Sequence, residues 1–396
     1  MTESFLHGVN VIEVTSGTRT IRTAKSSVIG LIGTAPSADE NVFPLDKPVL
    51  IAGSQKEAAK LGKTGTLLPA ISAIFDQVGA TVVVIRVAES ENTDPASETL
   101  ENIIGGVDAA TGEYKGIKAF LSSESNVHVT PRILIAPNFT HELPKSGSSD
   151  SRNPVVAGLI GIAEKLRAIV VADGPNTNDA EAIKWRKSVG SPRVYVVDPW
   201  VKVFNEEEKI LPASPFVAGL IAKIDNEHGF WWSPSNQEIN GIVGTARPVD
   251  FTLGDASCRA NHLNENEIAT IIHQKGYRLW GNRTCSSDAK WAFLSVRRTA
   301  DLINDSLLHA HLWAVDRNIT RTYLDDVIEG VNAYLAHLKA VGAILGGKCH
   351  ANPDLNTQAS IADGKVHFDF DFTPPYPAEQ ITFRSHLINN YIKELI

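Results

Sequence analysis

Apolar residues in the first half of the chain fall into short continuous runs. Val28-Ile29-Gly30-Leu31-Ile32-Gly33, Val49-Leu50-Ile51 and residues 81–87 read as strands. The last is largely β-branched, which predicts burial on both faces, as in a parallel or mixed sheet. Between them, Ser54 followed by Glu57 makes a capping-box start for a helix over 54–61. Leu67, Ile71, Ile74, Phe75 and Val78 recur at helical spacing. A polar, Pro-containing stretch at 89–98 predicts a boundary. Beyond it, strands at 132–136, 168–173 and 193–198 alternate with helices at 153–166, 178–188 and 212–227; Asn153-Pro154 supplies an N-cap and first helical residue. Alternation of this kind predicts a layered α/β sheet.

The pattern then changes. Residues 229–264 are rich in Asn, Ser, Gly and Pro, too long for a simple connection, and are expected to pack over the sheet. A helix is expected at 265–274 and a strand at 276–280. Two longer helices follow at 298–313 and 322–341. In the second, Tyr323, Val327, Val331, Tyr334, Leu335 and Leu338 form one apolar stripe that stops at Gly342. Residues 366–373 alternate without a break. Val366, Phe368, Phe370 and Phe372 share one face; His367, Asp369, Asp371 and Thr373 share the other. That is a half-buried antiparallel strand with one wet face, ended by Pro374-Pro375-Tyr376-Pro377. Residues 381–396 predict a strand followed by a short amphipathic helix. At the other end, residues 5–14 form a β-rich run with no nearby hairpin partner, on a polar tether over 15–25. Such a strand pairs locally or adds to another chain's sheet.

Composition narrows the function classes. With 396 residues, two or three domains are expected. The net charge of −8 lacks the basic excess of a nucleic-acid binder. No apolar run approaches the ~20 residues that span a bilayer, and Met1-Thr2-Glu3-Ser4-Phe5 shows no secretory signal. The three cysteines, Cys258, Cys285 and Cys349, are far apart and odd in number, which argues against a disulfide framework. These features predict an acidic, soluble protein of a reducing cytoplasm, with neither nucleic acid nor membrane as partner.

Candidate chemistry is weak throughout. Gly62-Lys63-Thr64 resembles the end of a phosphate loop, but the position that must be Gly is Glu57, so a helix C-terminal turn is expected. His309 and His311, two apart on a helix, point about 200° apart and cannot share a metal. Asp369 and Asp371 read as the wet side of a strand. Asp325-Asp326 read as first-turn carboxylates at a helix's positive end. No Gly-x-Ser-x-Gly elbow and no His-Glu-x-x-His occurs. Neither a catalytic residue nor a metal or cofactor is expected.

Several stretches resemble the contractile tail sheath family. They are residues 234–245 (Pro-Ser-Asn-Gln-Glu-Ile-Asn-Gly-Ile-Val-Gly-Thr), residues 276–284 (Gly-Tyr-Arg-Leu-Trp-Gly-Asn-Arg-Thr), His311-Leu312-Trp313-Ala314-Val315-Asp316-Arg317-Asn318-Ile319-Thr320, and Phe370-Asp371-Phe372-Thr373-Pro374-Pro375. Phe5-Leu6-His7-Gly8-Val9 and Leu166-Arg167-Ala168-Ile169 also fit. The matches are collinear over essentially the whole chain. They look closest to sheaths of temperate phages and of R-type pyocins. The resemblance implies an α/β and α+β multi-domain fold: a layered α/β outer part, a C-terminal helix-plus-sheet inner domain and extended terminal arms. Combined with the pattern above, it suggests an arm at 1–25, α/β units at 26–90 and 91–275, a tube-proximal domain at 276–378 and a second arm at 379–396.

It further implies stacked hexameric rings around an inner tube, held extended and metastable until a baseplate triggers contraction through a bacterial envelope. Other sheath subunits, a tube protein, and baseplate and tail terminator proteins are the implied partners. The setting is a virion tail or a pyocin-like particle assembled in the bacterial cytoplasm. In that frame Leu6, Val9, Val11, Ile12 and Val14 are expected in an arm strand that adds to a neighbour. Val366, Phe368, Phe370 and Phe372 are expected in its acceptor. Gly17, Pro374 and Pro375 are hinge candidates, and Arg317, Arg321 and Lys339 are candidates for an acidic tube surface. The competing reading, a cytosolic α/β enzyme, rests on fold pattern alone.

Overall fold

The computed structural model describes residues 21–90, 95–146 and 149–391. The arm strand and Gly17 lie outside them. The chain divides into two compact units. The smaller takes residues up to Ser26 together with Arg298–Pro375; the larger takes Ser27–Arg297 and the segment from Tyr376 on.

The larger unit is built on one six-stranded sheet. Its strands are β1 (Ile29–Thr34), β2 (Pro48–Ala52), β3 (Thr81–Val87), β4 (Ile133–Ile135), β5 (Ile169–Asp173) and β6 (Val194–Val197), in the order β2-β3-β1-β4-β5-β6. All neighbours are parallel except β2, which runs antiparallel to β3. The division expected at residue 90 therefore falls inside a single sheet. Strand order depends on how crossovers pass the sheet, and local sequence does not carry it. The polar stretch at 89–98 that predicted this boundary overlaps the first residues of helix α1 (Pro95–Ile104).

The continuous apolar runs are buried on both faces, as their composition requires. Ile29, Leu31, Val82, Val84, Ile133, Ile135, Val171 and Tyr195 join one core, with α2 (Leu67–Phe75) and α3 (Ser214–Glu227). Ile32, Val83, Ile85, Leu134, Val170 and Val196 join the opposite core, with α4 (Pro154–Leu166) and α5 (Asp179–Lys187). Asn153 caps α4 by accepting from the Val155 and Val156 amides, with Pro154 in the first turn.

Residues 265–274 are not a helix. The helix there is shorter and earlier, α6 (Arg259–Glu265), and β7 (Thr270–His273) pairs antiparallel with β8 (Tyr277–Trp280). Ile268, Ile271 and Ile272 mimic helical spacing. The turn decides the matter: Lys275 (φ 53°) and Gly276 (φ 104°) both adopt left-handed backbone, which reverses the strand. This hairpin belongs to the larger unit, so no break occurs at residue 276. A second hairpin, β9 (Val201–Asn205) with β10 (Glu207–Leu211), pairs through β9 with Gly244–Thr245 and leaves Phe204 and Ile210 exposed.

In the smaller unit, α7 (Leu294–Ala310, counted here from Arg298) and α8 (Arg321–Ala340) accompany a two-stranded sheet of β11 (Gly346–Ala351) and β12 (Phe368–Thr373). Thr320 caps α8 through the Tyr323 amide, and Val327, Val331, Tyr334, Leu335 and Leu338 are buried. Asp325 falls beyond the first turn, contrary to expectation, because the helix begins one residue early; it faces Arg321 at 3.9 Å instead. Residues 376–389 carry no regular secondary structure, against the strand expected from residue 381. A strand needs a partner for its backbone groups.

Candidate functional site

The acceptor strand is the best-defined of the expected sites. Phe368, Phe370 and Phe372 alternate, half-buried, with exposed Asp369, Asp371 and Thr373, and the Phe370 and Phe372 rings lie 6.1 Å apart. Val366 falls outside the strand. The His367 amide and carbonyl just after it are engaged by the Asn356 side chain, with N–H···Oδ1 and Nδ2–H···O both at 2.8 Å.

Register fixes which edge is open. Cys349 stands opposite Phe370. Its N–H donates to Asn332 Oδ1 at 2.7 Å, and its C=O accepts from Asn332 Nδ2 at 3.1 Å. In an antiparallel ladder both backbone groups of one residue face the same edge. Asn332, on α8, therefore occupies the outer edge of β11. The same alternation turns the backbone groups of Phe368, Phe370 and Phe372 away from β11. Among the described residues no strand pairs with that outer edge of β12. The partner strand β11 and its Asn332 plug were not anticipated from sequence; Gly346-Gly347-Lys348-Cys349 has neither strong β propensity nor clear alternation.

The chain entering this unit is fixed as well. Ile21 is buried, the Thr23 hydroxyl lies 3.2 Å from the Tyr334 hydroxyl, and the Ala24 amide donates to Ser306 Oγ at 3.0 Å. The polar tether is thus anchored on α7 and α8 by its last residues.

The cationic candidates do not form one patch. Arg317 donates from Nε to the Trp313 carbonyl (3.2 Å) and lies over the Trp313 ring; Arg321 stands at the start of α8 with its side chain 96% exposed. Lys339 is exposed in the last turn, about 27 Å from Arg321 along the helix axis.

The weak chemical motifs take ordinary structural roles. Gly62 (φ 79°) ends a 3-10 turn, and the amides of Lys63 and Thr64 donate to Ser37 Oγ. His311 Nδ1 lies 2.7 Å from the Leu307 carbonyl. Cys258, Cys285 and Cys349 are free and buried, and burial pushes the Cys285 thiol up to about 12. Among the described residues no cluster of His, Cys, Asp or Glu is placed to hold a metal ion, and no helix is long and apolar enough to cross a membrane.

What sequence reasoning missed is a buried charge network at the carboxyl ends of β5 and β6. Asp198, with no exposed side-chain surface, pairs with Arg247 Nη2; Arg247 Nη1 pairs with Asp179, which also meets Arg259 Nε at 3.0 Å. Asp173, fully buried, accepts from the Ser214 amide (2.7 Å) and hydroxyl (2.6 Å) at the start of α3. Each Asp closes an apolar run at a parallel strand's end, and that position was the available signal.

Three family models match this chain in succession: the tail sheath protein Gp18 domain III N-terminal region over residues 26–87, the phage tail sheath protein central domain over 114–285, and the phage tail sheath C-terminal domain over 286–388. A prophage major tail sheath protein of Pseudomonas aeruginosa is 43% identical, with 99% of each chain covered. The major tail sheath protein of Serratia phage KSP20 is 35% identical, covering 99% of this chain and 97% of that one. Among solved structures, the contracted sheath complex of an extracellular contractile injection system shares the fold at a TM-score of 0.70 and 17% identity, over 98% of this chain and 99% of that one. The contracted helical sheath of the anti-feeding prophage does so at 0.67 and 20%, over 96% and 98%. The chain belongs to the phage tail sheath protein family. Its role is that of a structural protein.

Proposed function

We propose that the protein polymerises as stacked hexameric rings around an inner tube, in an extended metastable state, and contracts to drive the tube through a bacterial envelope. Tube, baseplate and tail terminator proteins are its partners, in a virion tail or pyocin-like particle assembled in the host cytoplasm. The open edge of β12 carries this reading. The backbone groups of Phe368, Phe370 and Phe372 have no strand partner within the described chain, while Asn332 plugs the opposite edge of the sheet. An arm strand from a neighbour, with Leu6, Val9, Val11, Ile12 and Val14, would complete the ladder. Main-chain bonds give connection, and the alternating side chains give register. Bending is assigned to Gly17 and to Pro374 and Pro375; the division between the two units falls immediately after Pro375. Work comes from interface energy of a few kcal/mol per subunit, summed over many copies.

Deleting residues 1–17 tests the arm. The truncated chain should melt like the parent, and electron microscopy should find no long hollow tubes; normal tubes from it would refute strand exchange. Arg317 and Arg321 are proposed to face an acidic tube surface. Arg317→Glu with Arg321→Glu should reduce co-sedimentation with tubes by about tenfold at low salt, an effect that shrinks as salt is raised. Undiminished tube loading by the double variant would remove that assignment.

A further inference from the structure

The chain beyond Pro375 carries the most exposed large apolar side chains described: Phe383 is 92% and Leu387 98% exposed. Its root is held differently. The Tyr376 ring meets the Phe293 ring edge-on, centroids 6.0 Å apart. Glu379 receives a fork from Arg283: Nε lies 3.1 and 3.0 Å from its two oxygens, and Nη2 lies 2.8 Å from Oε2. The same guanidinium sits 5.2 Å over the Phe293 ring. One arginine thus grips a carboxylate and an aromatic face together. All four residues belong to the larger unit.

The anchor is itself rigid. Arg283 and Phe293 form an antiparallel bridge. The Leu294 amide donates to the Asn282 carbonyl at 2.9 Å and the Thr284 amide to the Ala292 carbonyl at 2.7 Å. The Gly281 amide donates to Ser235 Oγ. Past this fixed point residues 380–389 are free of regular structure and exposed.

We propose that Arg283 and Glu379 form a latch that fixes the direction in which residues 380–391 leave their own subunit, so that this segment meets a second copy of the chain already oriented. The proposal rests on the strand-exchange reading above. A bidentate fork defines direction in a way a single point charge does not. Because the pair is part-exposed, it adds little to folding. Its value is in raising the fraction of chains whose arm points correctly, and apparent affinity scales with that fraction.

The test uses the full-length chain with Ala378→Cys carrying a spin label, since the three native cysteines are buried. Glu379→Ala leaves the Arg283–Phe293 stack in place. It should increase label mobility in the monomer and raise the concentration needed for tube assembly by about fivefold, with the melting curve unmoved. Arg283→Lys keeps the charge but loses the fork, and should shift both readouts the same way. Unchanged mobility, or assembly of Glu379→Ala at the parental concentration, overturns the latch. Deleting 380–396 separates the two ideas. If that truncation still forms tubes, the arm reading fails at this end and the latch with it. If it does not, while Glu379→Ala assembles normally, only the latch falls.

Discussion

Replacing Arg247 with alanine should destabilise the larger unit by about 3–5 kcal/mol, read as a lowered denaturant midpoint. Arg247 is only 13% exposed and divides its guanidinium between Asp179 and Asp198. Asp179 keeps Arg259 and has some access to water. Asp198 has neither; its remaining contact is the Asn176 amide at 2.8 Å. Burial already pushes the Asp198 carboxyl upward against the pull of Arg247. Without the arginine the group must take up a proton or remain a buried, uncompensated charge. The loss should therefore be smaller at pH 5 than at pH 8, where neutralising it costs more. Asp198→Asn added to Arg247→Ala should recover a large part of the loss, because no orphan charge is left. A cost under about 1 kcal/mol, equal at both pH values, would show that the pair contributes no more than a surface ion pair. Domains hold only about 5–15 kcal/mol in all, so the single variant should also accumulate poorly.

The network explains why the Asn-, Ser-, Gly- and Pro-rich stretch is ordered. Arg247 and Arg259 bracket a loop and clamp both its ends to Asp179 at the start of α5, and Arg247 also holds Asp198 at the end of β6. Reading the stretch as polar covering for the sheet missed that its two arginines carry the attachment. Elsewhere legibility followed burial. Val82, Val83, Val84 and Ile85 announced a two-faced strand because no exposed position interrupts them. Phe368, Phe370 and Phe372 announced a one-faced strand because Asp369 and Asp371 do. What stayed hidden depended on partners distant in sequence. Asn332 reads as one more polar position on a helix, and only the folded register shows it standing in for a strand. Arg283 was noticed as part of a motif, yet its role appears only when Glu379, 96 residues on, lies against it. Ile268 to Ile272 misled because two turns of helix and a short buried strand place apolar residues alike, and the Lys275-Gly276 turn was the discriminating signal.

Asp173 supplies a pH dependence of defined sign. Its carboxyl is pushed up to about 7, chiefly by complete burial, with the Ser214 hydroxyl and the Ser214 and Ala213 amides pulling the other way and Asp198 adding repulsion. An unfolded aspartate titrates near 3.9. Between these values the folded chain holds a proton that the unfolded chain has lost, so stability falls as pH rises through the window. From pH 5 to pH 8 the contribution should fall by about 2–3 kcal/mol, most of it before pH 7. His141 titrates with the opposite sign, since burial lowers its pKa, and Asp198 with the same sign. A raw profile therefore mixes all three, and the informative quantity is the difference between parent and Asp173→Asn. Asparagine still offers Oδ1 to the Ser214 amide at the start of α3 and carries no charge to desolvate. The variant should be less stable than the parent at pH 5, where its amide replaces a carboxylic acid suited to the site, and should close that gap or overtake by pH 8. Parallel profiles for the two proteins across that range would mean that Asp173 is ionised in the native state throughout, held by the three donors at the head of the buried helix.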